Sequence, residues 1–165
     1  MSGLILEEFG VDVGAEFFAE AGALIAAEFD RSLAAVPGIA DALTGLDRAR
    51  CLASSSDPAR ISHSLGLTGL IGFFEPHLVF SATMVERGKP APDLFLYAAA
   101  ECAVLPDVCV VIEDSVPGVT AAVPAGMRVI GFAGGGHCGP RHAGRLDEAG
   151  ADVVVHHGSD LLAAL

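Results

Sequence analysis

The chain has 165 residues, of which 52% are hydrophobic and 18% charged, and this composition is typical of one compact domain with a sizeable buried core. Nine basic and 21 acidic residues give a formal net charge of −12, which repels the phosphates of nucleic acid and argues against a DNA or RNA partner. The apolar stretches are too short for a membrane span, and the N-terminus has no signal-peptide pattern. We therefore expect a cytoplasmic protein with no membrane partner.

Apolar periodicity and turn residues predict alternating helices and short strands along the chain. The predicted helices span residues 15–33, 39–46, 58–65, 92–103 and 117–125, followed by a short helix at the C-terminus. The predicted strands span residues 49–53, 78–80, 109–112, 128–132 and 152–155. Asp57 is expected to cap the helix that begins at Pro58. Pro124 is expected to strain or shorten the helix over 117–125, because proline lacks the backbone N–H that a helix interior requires.

Apolar strands that alternate with helices predict an α/β fold, with a three-layer, doubly wound parallel sheet covered on both faces. Such sheets bind their ligands beyond the carboxyl ends of the strands. Three polar clusters fall at or just after those ends: the hydroxyls of residues 54–56, Lys89 in a proline-rich turn, and Glu113 with Asp114. Hydroxyls, a cation and carboxylates together suit a phosphate and a divalent ion.

These clusters resemble the motifs of the haloacid dehalogenase superfamily, in the small-helical-cap branch that contains sugar-phosphate phosphatases and beta-phosphoglucomutase. Ser54 in Leu-Ala-Ser-Ser-Ser matches the second motif of that family, Lys89 in Gly-Lys-Pro-Ala-Pro-Asp matches the third, and Glu113-Asp114 before Ser115 matches the fourth. Their order and spacing are specific only in combination. The resemblance implies a Rossmannoid core over residues 36–165 and a partial helical cap over residues 1–35.

The resemblance also implies a role for each matching residue. Ser54 would bind the transferring phosphoryl group, assisted by the backbone N–H of Ser55, and Lys89 would neutralise charge on that group and on the nucleophile. Asp114 would bind Mg²⁺ directly, with Glu113 contributing directly or through a water. The implied activity is Mg²⁺-dependent hydrolysis of a small phosphorylated metabolite of the sugar-phosphate type through an aspartyl-phosphate intermediate, with Lys89 and Asp114 as the catalytic residues.

One family motif is missing from the sequence, namely the Asp-x-Asp-Gly-Thr-like segment whose first aspartate is the nucleophile. The early acidic residues Glu7, Glu8 and Asp12 lack its spacing, and none is assigned as nucleophile. We expect the chain to begin inside the cap and to lack the first core strand, which in the family lies between the strands that end near Ser54 and Asp114. The resulting gap in the sheet would favour a homodimer or aggregation.

Three alternatives remain open. The chain can be a non-catalytic truncated remnant, a phosphate- or metal-binding protein, or, within the same family, a sugar-phosphate mutase. His137, Cys138 and His142 can be drawn as metal ligands, but their spacing matches no zinc pattern and no second cysteine pair supports one, so the sequence predicts an adventitious proximity. The sequence assigns no task to His63 or His77, and we expect the four cysteines to be reduced thiols.

Overall fold

The structure is a computed structural model that describes residues 14–165, and its contacts divide the chain into two units, Met1–Ala34 and Ala35–Leu165. The described part of the first unit is dominated by helix α1 (Ala15–Ser32), which confirms the helix predicted there. The early acidic residues lie outside the described residues, and a partial cap over residues 1–35 stays a prediction. None of the helices in residues 14–165 combines the length and apolarity needed to cross a bilayer.

The second unit alternates helices with short strands, as the sequence predicts. Its helices are α2 (Ile39–Gly45), α3 (Pro58–Leu67), α4 (Asp93–Glu101), α5 (Val116–Ala122), α6 (His142–Glu148) and α7 (Leu161–Ala164). Its strands are β1 (Leu52–Ser54), β2 (Val79–Ser81), β3 (Val110–Glu113), β4 (Arg128–Phe132) and β5 (Val153–Val155). All five strands were predicted, although β1 starts three residues later than expected. Helix α6 was not predicted, because Leu146 is its only large apolar residue.

The strands form two parallel sheets. One sheet pairs β1 with β2, so that Ser54 lies opposite Ser81, and the other has the order β3-β4-β5, with Glu113 opposite Gly131. Within the described residues, β1 and β3 are not paired with each other. The α/β class is confirmed, and the two strands expected to flank a missing strand belong to different sheets.

The sheet β3-β4-β5 is covered on both faces, which is the three-layer arrangement typical of parallel sheets. One face packs Val129 against buried residues of α4, α5 and α6, including Leu146. The other face packs Ile130 against residues of α2 and α7, including Leu161. A smaller cluster around Phe80 lies against α4 beside β2. Since both Val129 and Ile130 are fully buried, β4 is the most enclosed strand of this sheet.

Two helix ends follow the predicted local chemistry. The Asp57 side chain accepts a hydrogen bond of 3.0 Å from the backbone N–H of Arg60, and Pro58 occupies the first position of α3, which confirms the predicted cap. Helix α5 ends at Ala122, two residues before Pro124, so the shortening predicted for this helix is also confirmed. The cause is the missing N–H of proline, which cannot continue the helical hydrogen-bond ladder.

Candidate functional site

The hydroxyl cluster lies in the loop between β1 and α3, and β2 holds this loop in place. The Ser54 hydroxyl accepts a hydrogen bond of 3.1 Å from the backbone N–H of Ser56. The buried Ser81, at the end of β2, donates its hydroxyl to the Ser56 carbonyl at 2.7 Å. Ser55, which lies between Ser54 and Ser56 in the chain, is exposed. The adjacent ends of β1 and β2 therefore position the predicted phosphate-binding loop together.

Lys89 connects the end of β1 with the end of β3. It lies in the turn before α4, where the Lys89–Pro90 peptide bond is cis. Only 7% of its side chain is exposed, and the ammonium group donates to the Ala53 carbonyl at 3.2 Å and forms an ion pair with the Glu113 carboxylate. The ammonium nitrogen also lies 4.7 Å from the centre of the Phe95 ring. One buried cation thus joins strands of two separate sheets.

Both carboxylate oxygens of Glu113 already have partners inside the protein. Lys89 pairs with Oε1, and Oε2 accepts hydrogen bonds from the backbone N–H of Ser115 at 3.2 Å and from its hydroxyl at 2.8 Å. The carboxyl group packs against Gly118, where an added Cβ would overlap it. A cation that binds Glu113 directly would have to replace or share one of these partners.

Asp114 follows directly after the last residue of β3 and, unlike Glu113, is exposed. Its side chain is 51% exposed, and its Oδ2 lies 3.4 Å from Nε2 of His137. The Asp114 backbone carbonyl accepts a hydrogen bond of 2.6 Å from Nε2 of His142. An exposed carboxylate is a ligand that Mg²⁺ prefers, so the donor chemistry of Asp114 fits the predicted metal.

The structure brings together two of the predicted site residues directly, Lys89 and Glu113, while Ser54 is linked to them through the carbonyl of its neighbour. Sequence reasoning missed the supporting role of Ser115, although a serine before a proline-containing helix start is a recognisable cap signal. It also missed Ser81, which follows an apolar run just as Ser54 does. No local signal pointed to the contact between His142 and Asp114.

A family model described as haloacid dehalogenase-like hydrolase matches residues 4–126 of the chain. Among characterised proteins, the chain is 31% identical to 6-phosphogluconate phosphatase of Escherichia coli over 116 residues, which is 70% of this chain and 52% of that protein. It is 33% identical to hexitol phosphatase A of Escherichia coli over 147 residues, covering 80% of this chain and 62% of that protein. The chain therefore spans between half and two thirds of the length of these relatives.

Solved structures of similar proteins have the same fold as this chain. A conserved haloacid dehalogenase-like protein of unknown function from Agrobacterium tumefaciens superposes with a TM-score of 0.86 at 38% identity, covering 98% of this chain and 73% of that one. A hydrolase from Deinococcus radiodurans, solved with bound phosphate and sodium, superposes with a TM-score of 0.80 at 29% identity, covering 99% of this chain and 72% of that one.

Proposed function

The chain belongs to the haloacid dehalogenase-like hydrolases, and on that premise we propose that it forms the phosphate-binding and Mg²⁺-binding part of a phosphohydrolase site for a small phosphorylated metabolite of the sugar-phosphate type. The observation that carries the proposal is the position of Lys89, whose buried ammonium group lies at the carboxyl ends of β1 and β3. In a chain of net charge −12, an anionic substrate needs a local cation of this kind.

In this proposal the residues around Lys89 stabilise charge on the phosphoryl group. Ser54 and the backbone N–H of Ser55 donate hydrogen bonds to phosphoryl oxygens, and Lys89 offsets the negative charge that builds up on them in the transition state. Glu113 fixes the position of the ammonium group, and Ser115 fixes Glu113. The donors are thus arranged before the substrate arrives, which is what electrostatic stabilisation requires.

Asp114 is the residue proposed to hold Mg²⁺, and Glu113 contributes only if it exchanges one of its present partners. Bound Mg²⁺ would supply further positive charge to the phosphoryl oxygens. The exposed Asp114 carboxylate supports this assignment, because Mg²⁺ keeps several waters and needs only one or two protein carboxylates.

The nucleophile is proposed to be an aspartate on a segment outside this chain, attacking phosphorus to form an aspartyl-phosphate. We also propose that residues 36–165 form the core without its first strand and that residues 1–35 form a part of the cap. The substrate class is supported by the names of the relatives, which act on 6-phosphogluconate and on hexitol phosphates. A similarity to beta-phosphoglucomutase of Bacillus subtilis, 39% over 85 residues, keeps a sugar-phosphate mutase as an alternative within the family.

A second candidate function is binding of phosphate or metal without turnover. The observation that favours it is the division of the sheet, since in the described residues β1 pairs only with β2 and β3 only with β4. A site that needs a group between these strands would be incomplete in this chain.

The test measures binding and turnover separately on the purified chain. Binding of inorganic phosphate in the presence of Mg²⁺ is followed by calorimetry, and phosphate release is followed with p-nitrophenyl phosphate and with a hexitol phosphate. The variant is Asp114→Asn, and its matched control is Asp107→Asn, which makes the same charge change at the opposite end of β3.

We expect Mg²⁺-dependent phosphate binding without turnover in the parent chain, lost in Asp114→Asn and kept in Asp107→Asn. Turnover that only Asp114→Asn abolishes would support the hydrolase and overturn the external nucleophile. Binding that survives Asp114→Asn would contradict the metal assignment, and absence of both binding and turnover would contradict the proposed function.

A further inference from the structure

The loop that follows β4 and the first residue of α6 bring together three metal-ligating side chains that the proposed phosphate site does not use. His137, Cys138 and His142 each place one ligand atom so that all three atoms lie within 4.8 Å of one another. His137 is exposed, and the other two residues are half-buried. Because the three residues span only six positions and include a turn, their convergence comes from the loop conformation and not from a known motif spacing.

Tight turns and a glycine hold this loop in shape. The backbone N–H of Cys138 donates to the Gly135 carbonyl at 2.9 Å, and that of His142 donates to the Gly139 carbonyl at 2.9 Å. A Cβ added at Gly135 would lie 2.8 Å from Cε1 and 2.9 Å from Nδ1 of the His137 ring, closer than real side chains approach. The absence of a side chain at Gly135 therefore lets the imidazole lie against the loop backbone.

The hydrogen bond from His142 to the Asp114 carbonyl places the proton on one nitrogen of the imidazole ring. A backbone carbonyl only accepts hydrogen bonds, so Nε2 of His142 must carry the proton in this contact of 2.6 Å. In neutral imidazole, Nδ1 is then the nitrogen with a lone pair. A carbonyl that orients the distal N–H is the usual support of a metal-binding histidine.

The spacing of His137 and Cys138 fits two ligands of one tetrahedral zinc ion. Their Nε2 and Sγ atoms lie 3.6 Å apart. Zinc bond lengths of about 2.0–2.1 Å to nitrogen and about 2.3 Å to sulfur, at a tetrahedral angle, place these two ligand atoms about 3.5 Å apart. Two imidazole nitrogens and one thiolate suit Zn²⁺, whereas Mg²⁺ prefers oxygen. The donor set therefore differs from that of the oxygen ligand Asp114, whose Oδ2 lies 3.4 Å from Nε2 of His137.

We propose that His137, Cys138 and His142 form a zinc site with three protein ligands and a fourth position occupied by water. A cavity of about 290 Å³ lined by Cys138, Gly139 and His156, among others, borders the cluster and gives solvent access to it. Binding converts the Cys138 thiol to a thiolate and releases one proton to solvent, while the two imidazoles bind in their neutral form.

The test uses Co²⁺ as a spectroscopic probe on the reduced, purified chain, followed by displacement with Zn²⁺. We expect saturation at one Co²⁺ per chain, with a thiolate-to-cobalt charge-transfer band in the near ultraviolet and the intense visible bands of tetrahedral cobalt. The variant Cys138→Ser should lose the charge-transfer band, and Cys109→Ser, which changes another free cysteine, should keep it. Circular dichroism verifies that each variant is folded.

A second pair of variants tests the histidine ligands. His137→Gln should weaken Co²⁺ binding by at least about tenfold, the loss that even a supporting residue behind a ligand causes, while the matched control His157→Gln should leave it unchanged. A stoichiometric titration without the charge-transfer band, a band that survives Cys138→Ser in a folded protein, or equal effects of the two histidine variants would each overturn the proposal. None of these readouts depends on phosphatase activity, so the failure of this proposal is distinguishable from failure of the phosphohydrolase site.

Discussion

The ion pair between Lys89 and Glu113 is the residue-level contact on which the site depends most. The side chains are only 7% and 8% exposed, and each has further hydrogen bonds, Lys89 to the Ala53 carbonyl and Glu113 to Ser115. Removal of two charges from water is costly, and their mutual attraction offsets that cost only when the geometry is good. Loss of one partner therefore leaves the other charge buried and uncompensated.

The variant Lys89→Met should lower the free energy of unfolding by about 3–5 kcal/mol, the usual cost of breaking a buried ion pair from one side. The double variant Lys89→Met/Glu113→Gln should recover most of this loss, because no buried charge remains. Urea unfolding of the parent chain and of both variants measures the difference.

The matched control for this prediction is Arg87→Met, which removes a cation from an ion pair with Asp93 in which Arg87 is largely exposed. Since solvent screens such pairs, this variant should change stability little. Equal losses for Lys89→Met and Arg87→Met, or a double variant no more stable than Lys89→Met, would show that the buried charge is not the cause.

At the level of elements, helix α3 is stabilised at its start by the carboxylate of Asp57. The hydrogen bond from the backbone N–H of Arg60 is the main cause that lowers the pKa of Asp57 below its usual value. A carboxyl whose pKa is lowered by folding adds stability above its unfolded pKa of about 3.9. That contribution is lost as the pH falls through the lower pKa of the folded state.

We therefore expect Asp57→Asn to lower the melting temperature at neutral pH, where only the parent chain carries the negative charge at the helix N-terminus. The difference between the two proteins should begin to shrink as the pH falls below about 4, where Asp57 of the unfolded chain is protonated, and should vanish below the lower pKa of the folded state, where Asp57 is neutral like asparagine. Thermal unfolding, monitored by circular dichroism across this pH range, measures the difference in melting temperature. A difference that stays constant into acid would contradict the role of the charge.

At the level of the whole molecule, the division into two sheets leaves β1 and β3 with one described strand partner each. In the described residues β1 pairs only with β2, and β3 only with β4. Ile112 in β3 is 44% exposed, although parallel sheets usually bury both faces. Unpaired strand edges next to exposed apolar side chains favour pairing with another chain.

We expect the purified chain to self-associate with increasing concentration, as sedimentation velocity can measure. Ile112→Lys should reduce this association, because a charge at the strand edge opposes pairing. The matched control Ile71→Lys, at an apolar position that is 50% exposed outside the sheets, should leave it unchanged. A monomer at all concentrations, or equal effects of the two substitutions, would argue against strand pairing as the cause.

Local features of the sequence were sufficient for the alternation of helices and strands, the cap at Asp57 and the early end of α5 before Pro124. They also placed Ser54, Lys89 and Asp114 near strand ends. Helix and strand periodicity and the chemistry of caps and proline act over a few residues, so a single sequence carries their signals. Helix α6 was not predicted because Leu146 is the only residue that marks its buried face.

Only the tertiary structure decided which of these residues meet. Lys89 and Glu113 are 24 residues apart, and Asp114 and His142 are 28 apart, so no local pattern encodes either contact. The same holds for the two sheets and for the convergence of His137, Cys138 and His142, whose spacing suggested no site. Such contacts depend on the packing of whole elements against one another, since the free energy that holds them is shared among many side chains.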